Sequence, residues 1–270
     1  MTNEEQAGAL AALTILELSE GVAGPFAAKL FADYGARVIK VERPGQGDRL
    51  RLEAPGSDER FAYLNTNKLS LTLDYETPAG ASILAHLAEE ADGLIEDRPG
   101  RRRDGLGLDA MVLIDSVPRL VICGVSPFAE TGPYAGRPFR ELGPGAELKT
   151  GLHAFVAMLG ALWNAAQTEH DQVVEVCGFE AIASTLGAPL AHALWERTRE
   201  STPAAFEAAI VAAAAAPERF GEVRGPFEMA KTPRRAGRAP ALGEHTDYVL
   251  GDLIGLEAAE IEALRREGVV

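Results

Sequence analysis

The chain has 270 residues, of which 47% are hydrophobic and 24% charged, enough to fill one large domain or two small ones. Its formal net charge of −14 argues against nucleic acid and anionic membrane surfaces as partners, and any anionic ligand would need a local cluster of Arg or Lys. The opening residues, MTNEEQAGALAAL, lack a basic leader region, and no apolar run reaches membrane length, so the expectation is a soluble cytoplasmic protein.

LTILEL (13–18) has the apolar pattern of a short strand. GVAGPFAAKLFADYGA follows with helical spacing and with Gly35 as its stop. RVIKVERP (37–44) is a second buried strand, so the first three elements form a βαβ unit. Residues 45–60 are polar and predict a loop; LSLTLD (69–74) predicts a third strand. TPAGASILAHLAEEAD (77–92) carries Thr and Pro where a helix cap and first turn want them. GLIED (93–97) and a segment within 118–128 give two more strands. Helices are expected over 147–166, 178–200 and the Ala-rich 204–220, with the strand QVVEVC (172–177) between the first two. Residues 230–240 read as irregular and basic, and two short helices close the chain, the first with Thr246 as a candidate N-cap. The alternation predicts a parallel α/β sheet with ligands at the C-terminal ends of its strands.

Few motifs carry chemistry on their own. GVAGPF (21–26) joins a strand to a helix, and Glu42 ends the next strand 18 residues after Gly24, but the glycines of a dinucleotide fingerprint are absent. The five histidines have no metal-ligand spacing. Cys123 and Cys177 are expected as packed free thiols, and Trp163 and Trp195 as core residues. Two basic elements follow strands in this acidic chain: Arg43, and the run Arg101, Arg102 and Arg103. Arginine suits phosphate because its donors form a fork, and a solvated turn is the competing reading of the run.

The stretch LTILELSEGVAGPFAAKLFADYGARVIKVERPGQGDRLR closely resembles the opening of the type III CoA-transferases, the carnitine dehydratase/bile-acid-inducible family. LNTNKLSLTLDYETPAG, LIEDRPG, LVICGVSPFAETGPYAGRP and LGEHTDYVLGDLIGLEAAEIEALRREGVV resemble further blocks in the same order. The resemblance implies a Rossmann-like large domain with a smaller one, two chains interlocked, and CoA exchanged between a thioester and a carboxylic acid without a metal. It implies a CoA site using Val22, Ala23, Gly24, Arg43, Leu73, Asp97, Arg101, Arg102 and Arg103.

The sequence also departs from the family pattern. Aligning on Gly151-Leu152-His153-Ala154 puts Glu147 where the family has its nucleophilic Asp, four residues before a Gly at a helix start. Glu147 is read either as that nucleophile, one methylene longer, or as a charge that complements the helix dipole. The Gly-rich loop after the Pro133-Tyr134 block is nearly missing, so residues 140–147 are expected to line the site instead. Members of the family run longer, and most of the missing length falls between about residues 200 and 220. The expected division is therefore 1–200 as the large domain, 201–220 as a remnant of the small domain, and 221–270 as a return segment packing on the large one. The alternatives are a catalytically weak CoA-binding subunit paired with a full-length paralogue and, lower, a 2-methylacyl-CoA racemase, for which the expected His is lacking. A homodimer or heteromer is expected.

Overall fold

The computed structural model describes residues 8–52, 57–97, 113, 116–129, 133–143, 145–185, 229 and 232–270. Arg101, Arg102, Arg103, Trp195 and the helix expected over 204–220 lie outside them.

Six parallel strands stand in the order β3-β2-β1-β4-β5-β6. They are β1 (Thr14–Glu17), β2 (Arg37–Glu42), β3 (Leu69–Thr72), β4 (Gly93–Glu96), β5 (Val121–Ser126) and β6 (Gln172–Cys177). Their near-continuous apolar runs suit a sheet covered on both sides. Successive side chains divide between the faces: Ile15, Val38, Ile95 and Cys123 point to one, Leu16, Ile39, Leu94 and Ile122 to the other. Leu16 stands opposite Ile39 and Leu94, which fixes the register. Burial pushes the Cys123 thiol up to about 12, the behaviour of an inert core cysteine.

The first face is covered by α1 (Ala23–Asp33) and α4 (Ala146–Thr168), through Phe31, Phe155 and Met158. The second is covered by α3 (Pro78–Glu89) and by the C-terminal segment. In α3 the Thr77 hydroxyl accepts from the Gly80 N–H at 3.1 Å and Pro78 takes the first turn, as the sequence predicts. A helix, α5 (Gly178–Thr185), follows β6, and the remainder of the helix expected over 178–200 lies outside the described residues. Trp163 is not a core residue: with Phe155, Met158 and Leu162 filling the inner face of α4, it lies on the outer face and is 71% exposed.

The expected loop over 45–60 contains structure. A 3-10 turn spans Arg49–Arg51, capped by Asp48, and α2 runs Ser57–Leu64. Apolar burial overrides the polar composition here, because Leu50, Phe61 and Leu64 pack together with Val22.

Residues 232–270 run back over the β3 side of the sheet. The His245 N–H donates to Ser70 O at 3.0 Å, and the Ser70 N–H donates to His245 Nδ1 at 3.2 Å. The Thr246 hydroxyl accepts from the Thr72 N–H at 3.1 Å, so it serves β3 and caps no helix. A π-helical turn (Tyr248–Leu253) and α6 (Ala258–Arg266) then bring Val249, Leu250, Ile261 and Val269 into the core.

Helix α4 crosses α1 at Gly151, where a Cβ would stand 2.4 Å from the Ala23 carbonyl oxygen. Gly151→Ala is expected to lower stability by about 1–3 kcal/mol, since a backbone atom must move to admit it. A urea midpoint for the variant checks this, and an unchanged midpoint would contradict the close crossing.

A charged network lies within the sheet. Glu17, Lys40, Glu42, Asp48 and Lys68 are each 3% exposed or less. Lys40 Nζ bonds Glu17 at 3.1 Å and Asp48 at 2.8 Å; Lys68 Nζ bonds Glu17 at 2.7 Å; Arg51 forks onto Glu42 at 2.8 and 3.0 Å. Three carboxylates thus meet three cations, which is what makes burying them tolerable. Burial lowers the Lys68 ammonium to about 8, opposed by Glu17. Burial alone would lower Lys40 as well, but Asp48, Glu17 and Glu42 hold it above its ordinary value. Burial would raise Glu42 and Asp48; Arg51 bonding and Lys40 at Glu42, and Lys40 at Asp48, outweigh it and hold both carboxyls below their ordinary range.

A pH dependence follows. Both carboxyls have a depressed folded pKa, so the stability they add is present above the unfolded carboxylate values of about 4. It is lost as pH falls through the lower folded values. Urea midpoints measured from pH 7 to pH 3 should fall steeply at the acid end, and the slope should flatten in Glu42→Gln.

Candidate active site

The site is built where β1 ends. Gly21, at φ +79°, turns the chain out of the sheet, and its N–H donates to both oxygens of Asp48 at 3.2 and 3.3 Å. Asp48 also accepts from the Leu50 N–H at 2.9 Å, so one buried carboxylate, itself held by Lys40, ties the β1 loop to the Arg49–Arg51 turn. The Arg49 guanidinium lies over Gly21: a Cβ there would stand 2.1 Å from Arg49 Nη2. Only glycine meets both the left-handed backbone and that contact without strain. Asp97, just past β4, accepts from the Glu20 N–H at 2.9 Å and fixes the loop from its other side.

Gly145, at φ +81°, opens α4, and Glu147 falls in its first turn. The Glu147 side chain is 23% exposed, with Oε1 3.7 Å from Arg49 Nη2. It faces a cavity of about 420 Å³, within the range of small-molecule sites. Val22, Arg49 and Leu50 form one wall, Arg60 of α2 another, and Pro127, Phe139 and Arg140 the remainder. Val22 follows β1 and Pro127 follows β5, so the cavity opens beyond the carboxyl ends of strands beside the point where strand order reverses. Among the described residues, three guanidinium groups and one carboxylate line this space. A carboxylate at the start of a 23-residue helix, backed by arginines, suits an anionic substrate and a reaction in which that carboxylate takes part.

The predicted residues divide. Val22 and Glu147 line the cavity. Ala23 and Gly24 begin α1 and are buried, Gly24 so close to Ser19 that a Cβ would stand 2.3 Å from its hydroxyl. The Leu73 side chain is fully buried in the core and its N–H donates to Glu42 O at 2.8 Å, so as a binding residue it has only backbone to offer. Arg43 pairs with Glu76 at 2.5 Å and lines no part of this cavity. Of the 140–147 stretch, Arg140 and Glu147 face the cavity, while Leu142 and Ala146 pack with Phe128 and Ile182. Arg49 and Arg60 escape sequence reasoning; only their place in the polar 45–60 stretch, after a strand end, marks them. His153 bonds Lys149 O at 2.8 Å and Ser184 at 3.2 Å, away from Glu147's cavity. Among the described residues no group of His, Cys, Asp and Glu could hold a metal, and no helix is long and apolar enough to cross a membrane.

Residues 10–142 match CoA-transferase family III. A succinate–glutarate CoA-transferase of Agrobacterium fabrum is 30% identical over 213 residues, 66% of this chain and 52% of that protein. The β subunit of a succinyl-CoA–L-malate CoA-transferase of Chloroflexus aurantiacus is 32% identical over 203 residues, 64% of this chain and 50% of the subunit. The chain therefore spans about half the length of these curated relatives. Among solved structures, a CAIB/BAIF family protein from Brucella suis superposes with a TM-score of 0.70 at 21% identity, covering 92% of this chain and 100% of the other, which shows a shared fold.

Proposed function

We propose, from the match of residues 10–142 to CoA-transferase family III, that this chain moves coenzyme A between an acyl-CoA thioester and a carboxylic acid, with Glu147 as the reacting carboxylate. The observation that carries this reading is Glu147 itself, on the first turn of α4, opening into a cavity with Arg49, Arg60 and Arg140. Its carboxylate attacks the thioester carbonyl, the C–S bond breaks, and CoA leaves as thiolate from a mixed anhydride. The thiolate attacks the Glu147 carbonyl, releasing the donor acid and leaving a Glu147–CoA thioester. The acceptor carboxylate attacks that thioester and expels the thiolate again. The thiolate then attacks the acceptor's carbonyl, giving the new acyl-CoA and restoring Glu147. Arg49 stabilises Glu147 as an anion and lessens its repulsion of the incoming carboxylate.

The names of the relatives support the class of reaction, since they describe exchange of CoA between acids. Arg43 and the Arg101–Arg103 run are proposed for the CoA phosphates. Residues 1–200 are read as the large domain, 201–220 as a remnant of the small one and 221–270 as the return segment, in a cytoplasmic protein. Two relatives are named as subunits, which favours a dimer or a heteromer with a paralogue. Incubation with acyl-CoA and hydroxylamine should leave a hydroxamate on Glu147, read by mass spectrometry; an unmodified Glu147 under turnover would refute its role.

A further inference from the structure

We propose that the Phe139 ring, seated against Gly178, sets how long an acyl chain the Glu147 cavity accepts; this rests on the reading of Glu147 above. A thioester whose carbonyl meets Glu147 gains by laying its acyl chain on apolar surface, and the lining supplies that from Val22, Leu50, Pro127, Pro138 and Phe139. These residues do not offer it equally. Val22 and Leu50 are 1% and 2% exposed, packed with Phe61 and Leu64, and show the cavity no more than an edge. Phe139 is part-buried and is the largest apolar side chain among them. Gly178, at the start of α5, decides where its ring stands. A Cβ there would lie 2.8 Å from Phe139 Cε1, 2.9 Å from Thr150 Oγ1 and 3.1 Å from Leu142 Cδ1, all closer than such atoms pack. The ring therefore rests on bare backbone. Thr150 is held by its bond to Ala146 O at 2.7 Å, and Leu142 is enclosed by Phe128, Ala146 and Ile182. Of the three neighbours, Phe139 is the one that also faces the cavity. A methyl group added at position 178 would drive the ring into the cavity, and removal of the ring would extend the cavity back to Gly178. One dimension of the site thus has two opposite handles. Thr150 and Glu147 share the first turns of α4, so the ring's support and the reacting carboxylate stand on one frame.

The test follows the rate of Glu147 adduct formation, trapped with hydroxylamine, from butyryl-CoA and from octanoyl-CoA; no acceptor acid is needed. The octanoyl-to-butyryl ratio should rise about tenfold or more in Phe139→Ala, since a methylene gained or lost in an apolar pocket changes rates by roughly 10- to 200-fold. It should fall in Gly178→Ala. Phe139→Leu keeps more of the packing against Leu142; it should shift the ratio the same way as Phe139→Ala by less, and it carries the test where the alanine variant does not fold. A ratio that stays put in the Phe139 variants, or one that rises in Gly178→Ala, overturns the proposal. So does an equal loss for both chain lengths, which would make Phe139 a contact of CoA itself. A second measurement needs no turnover. S-butyl-CoA and S-octyl-CoA are thioethers that cannot transfer, and the octyl compound should raise the melting temperature, relative to the butyl one, more in Phe139→Ala than in wild type. If no Glu147 adduct forms from either thioester, that displaced preference keeps the chain-length pocket while the transferase reading falls. The same preference in wild type and variant removes the pocket.

Discussion

Glu147→Gln is expected to lower kcat for CoA transfer by a factor on the order of 10⁴ or more, the scale of losing a covalent nucleophile. The amide keeps the side chain's shape but cannot form the anhydride. Arg49 would lose its ionic partner at the cavity wall, yet the network beneath it, Lys40 with Asp48 and Gly21, is untouched. The variant should therefore fold and bind acyl-CoA while leaving no hydroxylamine-trapped product. Glu147→Asp discriminates further. It keeps the chemistry but withdraws the carboxylate by one methylene from a wall set by Arg49 and Val22. A displacement of about 1 Å costs roughly 100-fold, so the aspartate should still form the adduct but turn over slowly. Steady-state rates with an adduct measurement on both variants check this. Substantial turnover by the glutamine variant would reduce Glu147 to a charge at a helix start.

Lys40→Met should be among the most destabilising single substitutions. It removes the cation shared by Glu17 and Asp48, all three side chains being fully buried. Breaking a buried pair from one side costs about 3–5 kcal/mol, because a desolvated carboxylate is left behind. Here Asp48 would also release its hold on Gly21 and on the Arg49 turn, so the cavity should loosen before the protein unfolds. Urea denaturation measures the first effect, and acyl-CoA affinity the second. Adding Asp48→Asn to Lys40→Met should recover part of the stability, since it leaves one fewer unpaired charge. Failure to recover any would place the cost in packing and not in charge.

The sheet was readable because its strands are short apolar runs between turn residues, and Ile15, Ile39 and Cys123 behave as such residues should. Lys40 and Glu42 stood inside one of those runs, and Glu17 in another. Charges at positions a covered strand must bury are a signal for an internal ion network, but only the folded geometry says which partners meet. Glu147 was found through a resemblance, by its place before Gly151. Arg140 fell within the 140–147 stretch expected to line the site, whereas Arg49 and Arg60 were not singled out, because they come from a polar stretch with no local pattern and meet Arg140 only in the fold. Leu73 and Gly24 were assigned to the ligand, and their burial shows that one side chain fills the core and the other position needs close packing. Trp163 failed in the opposite direction: helical periodicity fixed the phase of α4 without saying which large residue would be left outside.

The way residues 243–246 and Val269 close over β3 bears on the order in which the nascent chain matures. Ser70, Thr72 and Asp74 receive their outer partners from residues translated some 170 or more positions later. A ribosome-bound intermediate that already has β1 to β6 would still present an unsealed flank and a core lacking Val249, Ile261 and Val269. Chaperone contact during synthesis should therefore concentrate on that flank until residues 243–270 clear the exit tunnel.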